Sequence, residues 1–282
     1  MPTRLHDVPY FLFALAVSIV VGFMFFMQVL ASVDYARVPL PAPALLGILL
    51  PLFVFAAVAC HEAGHVLAAL LMRLSVQQFA VGPWLLIHDT KGFHLRSRHG
   101  AMKPLAGFVI AVPTRADRLG RRHFIFTIGG PIASLVICLL CLIPAIVLNH
   151  TTKAPGTPML EMGWPLTGYW IPRSWTAAFL MMGALTNLEG FLISIVPGRV
   201  SGWKNDAALL LAWNREPGTM AREWIIGAVR ELDTAIDQLN QEKKHAVAVQ
   251  EFEKAADLRD SADRLRKKRE TLIGRGCEPS AG

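Results

Sequence analysis

Leu49 to Leu71 is an apolar run long enough to cross a bilayer, and it contains His61, Glu62 and His65. A spanning helix needs about 20 such residues. Ionisable side chains at that depth are costly unless buried partners hold them, so they mark function more often than accident. The stretch reads His61-Glu62-Ala63-Gly64-His65. On a helix, positions i and i+4 share a face, so both imidazoles can grip one Zn²⁺. The glutamate between them is then placed to take a proton from an activated water. The bland alternative is a chance match, because the motif fixes only three positions. In a soluble helix that alternative is common. In an apolar helix it leaves three polar groups in want of partners, which a metal supplies together.

The rest of the chain supports a membrane setting. Of 282 residues, 53% are hydrophobic and only 17% charged, which is too apolar for an ordinary soluble domain. Four spans are expected: Tyr10–Ser32, Leu45–Met72, Phe124–Leu148 and Ser174–Val196, the last interrupted by Asn187-Leu188-Glu189-Gly190. The first reads as a retained anchor, since no small-residue cleavage site follows it. Cys60, Cys138, Cys141 and Cys277 form no disulfide framework.

Between the second and third spans, Arg73 to His123 carries nine Lys and Arg against Asp89 and Asp117. The positive-inside rule makes this loop cytoplasmic, together with both termini, and a bacterial plasma membrane is the simplest home. It also accounts for the net charge of +7 without nucleic acid. Within the loop, Phe79–Ile87, Phe93–Arg96 and Phe108–Val112 read as strands, with a hairpin turn at Asp89-Thr90-Lys91-Gly92. An edge strand there could pair with an extended substrate segment. On the other side, Asn149–Arg173 carries Trp164, Tyr169 and Trp170, with Trp175 just beyond it, and fits an interfacial belt. The fold class is thus an all-α polytopic membrane protein with about four transmembrane helices. A small β-hairpin or sheet lies in the cytoplasmic loop, and a soluble helical hairpin forms the C-terminus. Its divisions are 1–44 (anchor and external loop), 45–215 (metal-bearing core) and 216–282 (cytoplasmic tail).

Two imidazoles do not complete a catalytic zinc site, which usually has three protein ligands and an open position. His88, His94, His99 and His123 lie in the basic loop, where a solvent-facing place is expected. Glu189 lies within a span, and Asp206 lies just past it. Spacing leaves these two acids equal, and Asp206 has a competing role as the N-cap of a helix beginning near Ala207.

From Leu45 to Trp213 the chain resembles the site-2 protease family of intramembrane zinc metalloproteases, peptidase family M50. The resemblance rests on His61-Glu62-Ala63-Gly64-His65, on Gly129-Gly130-Pro131 in a later span, and on Asn187 to Asp206. It implies that Asp206 is the third ligand with Glu189 in reserve, that Glu62 is the catalytic base, and that Asn187 helps hold the scissile carbonyl. It differs in having Ala207 where the family usually has glycine, Ser134 where an asparagine often stands, and Gly190 for a frequent proline. The implied activity is zinc-dependent hydrolysis of membrane-anchored proteins. A catalytically inactive membrane scaffold is the alternative, disfavoured because His61, Glu62 and His65 are all present.

In the tail, Ile225, Val229, Leu232, Ile236 and Leu239 form a heptad-like stripe. The following Phe252-Glu253-Lys254-Ala255-Ala256-Asp257-Leu258-Arg259-Asp260 resembles the UVR helical hairpin, which implies a soluble protein partner bound through residues 220–270.

Overall fold

The computed structural model describes residues 10, 12–22, 41–89, 92–97, 107–151, 175–200 and 203–276. Among these residues the helices are α1 (Leu12–Gly22), α2 (Pro41–Leu71), α3 (Leu119–Thr151), α4 (Trp175–Ile195), α5 (Asp206–Arg215), α6 (Pro217–Ala248) and α7 (Phe252–Gly276). The strands are β1 (Leu74–Val81), β2 (Trp84–Asp89), β3 (Gly92–Ser97), β4 (Phe108–Pro113), β5 (Arg199–Val200) and β6 (Trp203–Lys204).

Three of the helices are long and apolar enough to cross a membrane, over Leu49–Leu71, Leu119–Leu148 and Thr176–Ile195. The chain is an integral membrane protein. Of the expected span Tyr10–Ser32, the described part is a shorter apolar helix, Leu12–Gly22. The third helix starts at Leu119, five residues before the expected Phe124, and takes His123 into its first turns. The fourth runs unbroken through Asn187-Leu188-Glu189-Gly190, because polar residues lower hydropathy without removing any backbone bond. Most of the Trp-bearing loop 149–173, with Trp164, Tyr169 and Trp170, lies outside the described residues, as do His99 and Cys277.

The described residues fall into two compact units. One gathers those of Met1–Gly64 and Ile128–Leu209, together with Gly107; the other gathers those of His65–Met102, Phe108–Thr127 and Leu210–Gly282. In the first, Val21, Ala145, Met181 and Leu185 make a buried cluster with Val17, Leu142 and Leu180 around it. Small residues also let helices touch there. A side chain on Gly64 would collide with Ala133 and with the Gly129 carbonyl, so the glycine permits close approach of α2 to α3. The α3 helix passes through Gly129-Gly130-Pro131 without a break.

The second unit holds a four-stranded antiparallel sheet in the order β3-β2-β1-β4. The expected single strand Phe79–Ile87 is two strands. Val81 pairs with Trp84 across a two-residue turn, in which Gly82 takes a φ of +54° and Pro83 has no N–H to give to a ladder. Apolar residues on both sides of that turn hide it from a hydropathy reading. The turn expected at Asp89–Gly92 pairs those two residues, with Thr90 and Lys91 outside the described set.

The tail packs on this sheet. Trp224 of α6 donates its indole N–H to the Ala111 carbonyl of β4 at 2.8 Å. Val112, Ala228 and Leu272 share one buried cluster with Ala116 and Leu232 at its border. Helix α7 lies along α6, tied by an Arg269–Asp233 ion pair at 2.6 Å. Between them Gln250 adopts a φ of +63°, and the Glu251 N–H closes back on the Ala246 carbonyl at 2.8 Å, ending α6 as a left-handed cap does.

Candidate metal centre

Helix α2 is continuous through its polar stretch, so His61 and His65 stand one turn apart on one face. Asp206 arrives from the start of α5. The sequence offered Asp206 as that helix's N-cap. The cap is Asn205 instead, whose side-chain oxygen accepts the Ala208 N–H at 3.1 Å. The Asp206 carboxylate is thereby left for His61: His61 Nε2 and Asp206 Oδ2 are 3.1 Å apart. One ligand atom from each of His61, His65 and Asp206 falls within 4.8 Å of the other two.

Glu189 is not in this group. It accepts a hydrogen bond from Ser18 of α1 at 2.6 Å. Glu62 is buried at 7% exposure, between the two histidines in sequence. Asn187 is buried too, but its amide donates back to the Gly183 carbonyl at 2.8 Å, and its side-chain oxygen has no hydrogen-bond partner among the described residues.

The Nδ1 atoms of both rings are anchored. His65 Nδ1–H donates to the Phe126 carbonyl at 2.8 Å, because a carbonyl can only accept. That fixes the proton on Nδ1 and leaves Nε2 with its lone pair, the tautomer a metal ligand needs. His61 Nδ1 lies 2.9 Å from Ser134 Oγ. A hydroxyl both donates and accepts. With Nε2–H on Asp206, the Ser134 hydroxyl donates to Nδ1; with Nε2 free to ligate, Nδ1–H donates to Ser134. The same serine supports both states of the ring.

This donor set fits zinc. Two imidazoles and one carboxylate are three protein ligands of the usual kinds, with one position left for water or substrate. A tetrahedral ion at about 2.0–2.1 Å from each donor separates two of them by about 3.3 Å, close to the observed His61–Asp206 spacing. Anchored outer nitrogens are the further mark of a ligating histidine.

His123 was expected in a solvent-facing loop and is buried instead. Its ring stacks on Trp213 at 4.2 Å between centroids and meets the edge of Trp224 at 5.3 Å. Ser134 and the Phe126 carbonyl were missed as supports. Ser134 had a signal, since it replaces the asparagine that often follows Gly-Gly-Pro in the resembling family. A backbone carbonyl has none.

The family model for peptidase family M50 matches residues 49–262. No curated protein and no solved structure matches the chain.

Proposed function

Since the chain belongs to peptidase family M50, we propose that it is an intramembrane zinc endopeptidase that hydrolyses peptide bonds of membrane-anchored proteins. One observation carries this reading: the ligand atoms of His61, His65 and Asp206 converge within 4.8 Å, with Glu62 on the same helix turn as the two histidines. Zinc, when bound there, supplies Lewis acidity that brings a water's pKa toward neutrality and polarises a carbonyl.

The chain's own residues do the rest. Glu62 takes the proton of the attacking water and passes it to the leaving amine, a role that general acid–base catalysis values at about 10²–10⁴ in rate. Burial keeps its carboxylate out of bulk solvent. Ser134 and the Phe126 carbonyl hold the two rings in orientation. Asn187 has one amide hydrogen on Gly183, and its second is the donor left for a scissile carbonyl. Glu189, engaged by Ser18, is the reserve ligand only.

A substrate helix hides its carbonyls in its own hydrogen bonds, so it must be drawn out before cleavage. The strand that would receive it is β3, an edge of the sheet with Phe93 and Leu95 exposed. Proline substitutions along β3 should lower cleavage and leave zinc content intact. The tail, residues 220–270, is assigned to a soluble protein partner; a tail-deleted protein that keeps every cytosolic partner in a pull-down overturns that assignment. The excess of Lys and Arg between Arg73 and His123 supports a topology with both termini in the cytoplasm of a bacterial cell, which reporter fusions test.

The central test is metal analysis of purified protein beside Asp206→Ala and Glu189→Ala. About one zinc per chain in wild type and Glu189→Ala, with loss in Asp206→Ala, is expected. Retention of zinc by Asp206→Ala overturns the ligand set.

A further inference from the structure

Asp206 is only as well placed as the segment that delivers it, a tight excursion from the end of α4 through β5 and β6 to α5. One side chain ties the start of that excursion to its end. Asn205 Oδ1 accepts the Gly198 N–H at 2.9 Å and the Ala208 N–H at 3.1 Å. Its Nδ2 donates to the Val196 carbonyl at 2.7 Å and the Ile193 carbonyl at 2.9 Å. These are carbonyls at the end of α4 and just past it, where no helical N–H follows to meet them. The backbone joins in: the Asn205 N–H donates to the Gly198 carbonyl at 3.0 Å.

A second residue presses on the same place from far away in sequence. Tyr10 lies outside the matched residues 49–262, yet its buried ring covers Gly198 so closely that a Cβ there would run into it. Its hydroxyl donates to the Ile193 carbonyl at 3.3 Å and lies 3.5 Å from Asn205 Nδ2. Asn205 and Tyr10 therefore converge on one carbonyl and one glycine, immediately before the carboxylate that meets His61.

We propose that Asn205 and Tyr10 are positioning residues for the metal centre, holding Asp206 at the distance at which it can ligate, and that the N-terminal segment is thereby part of the site. This rests on Asp206 being a zinc ligand. Tyr10 and Asn205 touch neither metal nor substrate in this role; they act through the Gly198–Asp206 segment.

The test uses the full-length chain in detergent micelles and reads zinc affinity by chelator competition, with the visible spectrum of the Co²⁺-loaded protein as a second signal. Four variants are compared: Asp206→Asn, Asn205→Ala, Asn205→Ser and Tyr10→Phe. Serine still caps α5 but cannot hold the Ile193 and Val196 carbonyls together. Phenylalanine keeps the ring over Gly198 and removes only the hydroxyl. Expected is a 10–100-fold loss of zinc affinity in Asn205→Ala, with an altered Co²⁺ spectrum. A smaller loss is expected in Asn205→Ser, and a loss of a few-fold in Tyr10→Phe. Should Asn205→Ala fail to fold, the serine and phenylalanine variants decide. Wild-type affinity and spectrum in both overturn the proposal, provided Asp206→Asn has lost zinc. If Asp206→Asn binds zinc as wild type does, the ligand assignment itself falls, and this proposal with it.

Discussion

His65 and His123 are both buried histidines on apolar helices, 7% exposed or less, and their surroundings assign them opposite work. Around His65 the neighbours are polar and directional. One nitrogen is pinned to the Phe126 carbonyl, and the ring belongs to a group that includes His61 and Asp206. Around His123 they are flat and aromatic. Trp213 lies on its face and Trp224 at its edge, with Thr127 Oγ1 a long 3.4 Å from Nδ1. A histidine whose faces are covered packs as an aromatic ring. A histidine whose edges are addressed is a ligand or a base. Burial alone does not separate the two cases; the identity and direction of the partners does.

The comparison breaks most visibly at Glu62. Glu62→Gln should lower cleavage of a membrane-anchored substrate by about 10²–10⁴ while zinc content stays at wild-type level. A variant that keeps full activity would remove the polar stretch from the chemistry. Next in size is Gly64→Ala. The added methyl meets Ala133 and the Gly129 carbonyl, and overpacking of this kind costs about 1–3 kcal/mol. A lowered melting temperature and weaker zinc binding are expected together, because the same helix turn carries both histidines. Ser134→Ala should weaken zinc binding by about tenfold, the lower end for loss of a ligand's outer partner. His123→Phe sharpens the contrast from the other side. It keeps the aromatic stack, so zinc affinity should be unchanged and stability should move by less than about 1.5 kcal/mol. Last, Glu189→Gln should leave zinc affinity unaltered, since its partner is Ser18.

Part of this is legible in the amino-acid sequence alone. Length and hydropathy place three of the spans, because a bilayer sets a minimum that few other structures require. The motif names His61, Glu62 and His65 because helical periodicity converts a spacing into a shared face. What could not be read was held by contacts distant in sequence. Spacing left Asp206 and Glu189 equal; the contrast between them is that Asn205 caps α5 while Ser18, 171 residues away, engages Glu189. The Gly82-Pro83 turn was passed over because Val81 and Trp84 are as apolar as the strands they end. His123 was misjudged because the charge of its neighbours, Arg121 and Arg122, made its surroundings look wet. The helix turns it away from them, toward two tryptophans 90 and 101 positions later.

The indole of Trp224 anchored on the Ala111 carbonyl, with Ala228 and Leu272 seated beside Val112, ties the tail to the sheet. A soluble partner of the kind proposed for residues 220–270 would bind helices seated on β4, and β4 is linked through the ladder β4-β1-β2-β3 to the strand proposed to receive the substrate. On these two proposals, the helices that take the partner and the edge that takes the peptide are carried by opposite margins of one sheet.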